Sequence, residues 1–329
     1  IEEMIGRIKR DDSSVPAPDG PFSYYQRYET TSQHPIYARH PRDLAPETGE
    51  QILLDVNKLA EGKPFYRVST VEHSEDHKLL AYSADEKGSE THTIFVKDLA
   101  TGAVIDQNVE GTDGSIEWAN DSKTFYYAVL DDNHRPSKIF RHKVGDAQAK
   151  DELVYHEQDP GFFVNIHKTE SRRFIVINAH DHVTSEQWVI EAGDPNGKPR
   201  LIAAREANVE YQATHHGDRF YIQTNADGAE DYKIVTAPLA RPEPGNWLDL
   251  VPHREDRRGR PLAHAEEQVD LPGPGRGELE RHRGRRVGAE RAAERSGHLH
   301  AVDAQVALER DLRGRLGLDR RAEIGRAHV

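Results

Sequence analysis

Several short stretches of this 329-residue chain hold side chains that could do chemistry. His180-Asp181-His182 and His215-His216 offer imidazoles to a metal. A zinc site needs three or four ligands converging at fixed geometry, and alternate residues on one loop supply at most two. The histidines are therefore expected at exposed hairpin tips, with no metal site. Asn225-Ala226-Asp227-Gly228-Ala229-Glu230-Asp231 has the acidic and glycine content of a calcium loop, but its twelfth position is Thr236 where a bidentate Glu is required. It reads as a hairpin turn. Glu86, Glu90, Asp131 and Asp132 fall near strand ends, where they could face a neighbouring domain or a basic peptide; a solvated rim is the simpler reading. The elbow G-x-S-x-G, which holds a nucleophilic serine on a strained strand-to-helix turn, occurs nowhere. No catalytic, cofactor-binding or metal-binding residue is assigned.

The elements that must position these groups repeat along the chain. In Trp118 to Asp132 (WANDSKTFYYAVLDD), a polar turn at Asn120 to Lys123 feeds the aromatic and β-branched run Thr124 to Leu130. Phe125, Tyr127 and Val129 fall on one face, and Tyr126, Ala128 and Leu130 on the other. Both faces are apolar, which predicts a strand covered on both sides. The unit recurs at Asp76-His77-Lys78, at Ser171-Arg172-Arg173 and at Gly217-Asp218-Arg219. Aligning Lys78, Lys123, Arg172 and Asp218 gives spacings of 45, 49 and 46 residues. A second strand follows each time (Thr93 to Leu99, Lys138 to Lys143, Gln187 to Glu191, Tyr232 to Ala237), then a shorter third one. No segment of helical length separates them, which disfavours a parallel sheet with crossover helices. Antiparallel units that bury their faces only against one another are the blades of a β-propeller.

Composition narrows the function classes. Residues 1–254 carry 43 acidic and 28 basic residues, and an acidic surface of this kind argues against a nucleic-acid backbone as partner. It is compatible with cationic substrates. No apolar run is long enough to span a membrane, and no signal-peptide pattern is present. The chain has no cysteine, so no disulfide is expected and a cytoplasmic setting is favoured. Residue 1 is Ile, and the original N-terminus is expected to be missing.

Ile1 to Lys9 places Ile1, Ile5 and Ile8 on one helical face, as the end of a helical lead over residues 1–19; Phe22 to Tyr28 and Pro35 to Arg39 form a Tyr-rich hairpin. This opening, including His34-Pro35-Ile36-Tyr37-Ala38-Arg39, resembles the oligopeptidase B branch of the prolyl oligopeptidase family. Further blocks carry the resemblance: Glu50 to Asn57, Trp118 to Asp132, Arg141 to Gly145, Leu153 to Glu157, His167 to Thr169, Thr184 to Glu186 and Val251 to Arg254. The resemblance implies an all-β propeller over residues 20–254, about four to five blades of a family seven. It also implies a separate α/β-hydrolase domain with Ser, Asp and His, cleavage of short peptides after Arg or Lys, and a propeller that restricts substrate size. A stand-alone propeller that only binds proteins or peptides is the alternative.

Past Arg254 the character changes. Residues 255–329 contain 16 Arg but no Phe, Tyr, Trp, Lys, Thr or Asn, and a blade cannot be built without aromatic and β-branched residues. An Arg-rich nucleic-acid tail is weakened by its 14 acidic residues; a reading-frame slip in a GC-rich coding sequence accounts for the composition better. The last blade, around Phe220-Tyr221-Ile222, should then lack its next neighbour and expose an apolar outward face. Because the tail offers few large apolar groups to bury, truncation after Arg254 should leave the thermal unfolding midpoint unchanged. A clear fall in that midpoint would show that the tail packs.

Overall fold

A computed structural model describes Glu3, Arg7 and residues 11–254. Most of the predicted helical lead, and the tail 255–329, lie outside the described residues. What is described is a series of five four-stranded antiparallel units. The first holds β1 (Ala17–Asp19), β2 (Phe22–Arg27), β3 (Ile36–Pro41) and β4 (Gln51–Asp55). The second holds β5 (Arg67–His73), β6 (Leu79–Asp85), β7 (His92–Asp98) and β8 (Val104–Thr112); the third β9 (Glu117–Trp118), β10 (Thr124–Leu130), β11 (Pro136–Lys143) and β12 (Glu152–His156). The fourth and fifth are β13 (Phe163–Lys168) to β16 (Arg200–Ala203), through β14 (Phe174–His180) and β15 (Ser185–Glu191), and β17 (Tyr211–His216) to β20 (Leu248–Val251), through β18 (Arg219–Thr224) and β19 (Lys233–Pro238). A single pair, Val129 with Thr112, joins the second and third units into one eight-stranded sheet. Two short helices, α1 (Pro46–Gly49) and α2 (Val56–Ala60), flank β4. The expected partial propeller is what is found, and its first strand lies inside the stretch read as the lead.

Turn chemistry sets the repeat. His77, Ser122, Arg172 and Gly217 each take a left-handed backbone conformation at the same point of a hairpin. The next residue then presents its carbonyl to a later strand: Lys78 to Leu99, Lys123 to Val144, Arg173 to Ala192 and Asp218 to Leu239. Lys78, Lys123, Arg173 and Asp218 are therefore the equivalent residues, and Arg172 belongs with the turn position before them. Side chains close these turns. Asp121 accepts from the backbone N–H of Lys123 and Thr124 at 2.9 and 2.8 Å, and Thr169 Oγ1 accepts from Phe174 at 3.1 Å.

Packing follows the two-sided pattern of β10. Phe125 and Tyr127 join Ala81, Ile94, Val96 and Trp118 between the second and third units, whereas Tyr126 and Ala128 join Ile139, Ile175 and Ile177 between the third and fourth. Phe174, Val176, Phe220 and Ile222 fill the next interface, and Leu53, Leu54, Leu80 and Tyr82 fill the one between the first and second. On the side of the fifth unit away from the fourth, the register sets Tyr221 with Thr214 and Thr236, Thr236 with Leu248, Gln223 with Gln212 and Ile234, and Ile234 with Val251, so apolar and polar groups share that face and Leu248 on it is exposed.

One interface carries a buried charge. His142 on β11 has no exposed surface, and its Nδ1 lies 2.7 Å from Asp151 Oδ1 and its Nε2 2.9 Å from Asp106 Oδ2 on β8. Tyr127 donates to Asp151, and the Gly145 N–H donates to Asp106, each at 2.7 Å. Burial alone pushes the imidazole pKa down, but the hydrogen bonds to Asp106 and Asp151 and their charges outweigh it and raise it to about 9. The imidazolium is the bonded form. Its stabilisation should be complete below the unfolded-state value of about 6.5 and be lost as pH rises through about 9. Removing it strands two buried carboxylates, so His142→Ala should cost about 3–5 kcal/mol in urea unfolding near pH 6 and less near pH 9. An equal cost at both pH values would contradict a charged His142.

Candidate functional site

The first strands of the last four units, β5, β9, β13 and β17, converge. Their hairpin turns reach across one another: Lys168, at the end of β13 in the fourth unit, donates to Glu75 of the second at 2.5 Å and to the Trp118 carbonyl of the third at 2.8 Å. Units two apart in sequence can touch only where their edges close on a common axis. Trp118 Nε1–H donates to the Glu72 carbonyl at 3.1 Å, tying the second and third units along that axis.

Six residues before each equivalent turn residue stand Glu72, Glu117, His167 and Gln212. The first three pair with Ala81, Tyr126 and Val176, so each projects to the side of its sheet that faces the following unit. Glu72 is exposed and Glu117 is half-buried. Blades of a propeller surround a central channel, and the converging first strands place both carboxyls along it. Desolvation lifts Glu72 to about 7, with Lys168 opposing and Asp19 adding to the rise. It lifts Glu117 to about 8, with Glu72 adding and Lys168 opposing. Burial pushes His167 down to about 4, and its Nε2 is enclosed without a hydrogen-bond partner.

The end of β1 in the first unit reaches the same turns. Asp19 sits 3.2 Å from His73 Nε2 and also binds Arg172, whose other nitrogen reaches Glu75 at 3.1 Å. Tyr24 stacks on His73 with 4.1 Å between ring centroids, and its hydroxyl lies 2.8 Å from His77 Nδ1. Arg39 donates to the His77 carbonyl at 2.7 Å and lies 3.8 Å over the Phe22 ring. Gly20, at φ +52°, lies against the His77 ring: a Cβ there would stand 2.2 Å from His77 Nε2, so a larger residue would have to displace that ring. Three units are thereby clasped together by Asp19, Glu75, Lys168 and Arg172.

The residues singled out in sequence lie elsewhere. Asp181 accepts from the N–H groups of Val183 and Thr184, and His180 contacts Asn165 and the Asp181 carbonyl, so this stretch is a hairpin turn with His182 exposed. His216 is exposed, but His215 is buried, 2.7 Å from Ser171 Oγ and 3.0 Å from the Gly217 carbonyl, because its strand position faces the core. Asn225 to Asp231 forms a hairpin loop in which Asp227 pairs with Lys233 at 2.8 Å. Glu86 pairs with Lys63 at 2.6 Å, Asp131 closes its own turn with Arg135 at 3.0 Å, and Glu90 and Asp132 are exposed. No group of three or more His, Asp or Glu placed to hold a metal occurs among the described residues. The channel residues went unnoticed in sequence. The signal that finds them is the repeat itself, which puts Glu, Glu and His at one register position of strands that are otherwise half apolar.

Residues 1–265 match the N-terminal β-propeller domain of prolyl oligopeptidase. The chain belongs to the prolyl oligopeptidase family. It is 38% identical over 269 residues to a dipeptidyl aminopeptidase BI of Pseudoxanthomonas mexicana and 31% identical over 261 residues to a protease 2 of Moraxella lacunata. Each alignment covers 78% of this chain but only 37% of the relative, so the chain spans little more than a third of those proteins. Among solved structures, oligopeptidase B of Leishmania major superposes with a TM-score of 0.73 at 32% identity, over 78% of this chain and 36% of that one. Oligopeptidase B of Trypanosoma brucei, in a closed form with covalently bound antipain, gives 0.71 at 31% identity, over 77% and 36%. The similarity noted in the sequence blocks is thus a family relationship confined to the propeller part.

The clasp makes a specific demand. Asp19→Asn keeps the shape of the side chain but removes the charge that holds Arg172 and His73. It should increase amide hydrogen exchange in β1 and β2 and leave that in β14 and β18 unchanged. Unchanged exchange in the first unit would mean that its apolar contacts alone hold it.

Proposed function

We propose that this chain is the propeller part of a serine peptidase that cleaves short peptides after Arg or Lys, in which the propeller limits the size of substrate admitted. The observation that carries this reading is the similarity, above 30% identity, to the N-terminal third of family peptidases and of two oligopeptidase B structures. In the mechanism of such enzymes a His takes the proton of the Ser nucleophile, an Asp orients the His, and backbone N–H groups hold the oxyanion. The sequence has no G-x-S-x-G elbow, so those groups would come from sequence outside this chain, and the chain alone would be inactive. Its substrates would be oligopeptides carrying basic residues, and the cysteine-free composition favours the cytoplasm. No helix among the described residues is long and apolar enough to cross a membrane.

Two measurements test the reading. The coding sequence past codon 254, read in the other frames, should run on into G-x-S-x-G. The purified chain should release no fluorophore from a blocked Arg-Arg amide above the blank rate. Turnover that a serine-directed inhibitor blocks would overturn the assignment of inactivity.

A further inference from the structure

We infer that Glu72, Glu117 and His167 form a binding site for the cationic side chain of a peptide inside the channel. The proposal rests on the reading of this chain as a peptidase propeller and adds a residue-level preference to it. The argument starts from the repeat: the three side chains occupy one register position in successive units and project the same way from converging strands. They thus line one level of the channel wall. Three features of that level suit a guanidinium or an ammonium group. First, Glu72 and Glu117 act on each other electrostatically, and among the described residues no hydrogen bond engages the Glu72 carboxylate; a cation between them would relieve their repulsion. Second, the neutral imidazole of His167 presents an enclosed Nε2 with no partner, which accepts a hydrogen bond in the tautomer protonated at Nδ1. Third, the nearest cation does not fill the site, because Lys168 Nζ is turned to Glu75 and to the Trp118 carbonyl.

Charge at this level depends on pH. The groups facing the two carboxyls are Lys168 on β13, Asp19 on β1 and Glu75 in the turn after β5, with His167 next to Lys168. With carboxyls raised to about 7 and about 8, the level is largely uncharged in mild acid and gains two negative charges above about pH 8. A bound cation would favour the ionised forms, so affinity should rise with pH over this range. His167, held near 4, stays neutral throughout.

The test is fluorescence anisotropy of a dye-labelled acetyl-Arg-Gly-Arg amide with the 329-residue chain, at about 0.15 M salt to screen the general acidic surface. Affinity should increase at least about tenfold between about pH 6 and about pH 9, because each newly ionised carboxylate beside a cation adds a favourable Coulomb contact. The isosteric double variant Glu72→Gln/Glu117→Gln should lose that increase. A control removing two exposed carboxylates, Asp218→Asn/Glu230→Gln, should keep it. Wild-type affinity that does not change with pH would overturn the site, and that result needs no variant to fold. A normal increase in the channel variant, or an equal loss in the control, would also overturn it. Binding involves no cleavage, so failure here is distinguishable from failure of the peptidase reading.

Discussion

The sheets of the second, third and fourth units each have two apolar faces and can satisfy neither alone. Phe125 and Tyr127 need the second unit, and Tyr126 and Ala128 need the fourth, although all four side chains come from one strand. Burying such a strand on both sides contributes on the order of 2 kcal/mol for each large apolar side chain, which favours stacking the sheets in sequence order. Local antiparallel pairing and short turns then bring each edge toward a common axis. Everything else described here, the channel and its clasp included, depends on this stacking.

Polar groups are placed where stacking leaves them no choice. The His142 imidazole bridges two sheets through Asp106 and Asp151, so a charge is tolerated between apolar faces only because both of its N–H groups are bonded. At the axis the situation is reversed. Converging strands bring Glu72 and Glu117 near enough to act on each other, and desolvation raises the pKa of both carboxyls. One architecture thus raises the pKa of a bonded histidine at one site and of desolvated carboxyls at another.

The clasp between the first, second and fourth units is a different kind of contact. Its ion pairs join groups as distant in sequence as Asp19 and Arg172, and the side chains remain partly exposed. Partly exposed pairs are worth about 1 kcal/mol or less each, so the clasp aligns the first unit more than it stabilises it. Arg172 can take part because it sits at the left-handed turn position, one residue before the strand-feeding Arg173, where its side chain is free of the sheet.

The sequence by itself determined the class of fold. Alternation on both faces, polar turns and a period near 46 residues are local properties of the chain, and each has a direct physical consequence in a blade. The blocks of similarity placed the chain in its family for the same reason: they are runs of residues that hold turns and cores. Tertiary structure decided the rest. Whether His215 is exposed depends on which way its strand faces the neighbouring sheet, and whether the outward face of the fifth unit is apolar depends on its register, which puts Tyr221 beside Thr214 and Thr236. Glu72, Glu117 and His167 stand 45 and 50 residues apart, and nothing local marks them as neighbours. They become a site only when separately formed hairpins close on one axis, because electrostatic interaction depends on distance in space and not on separation along the chain.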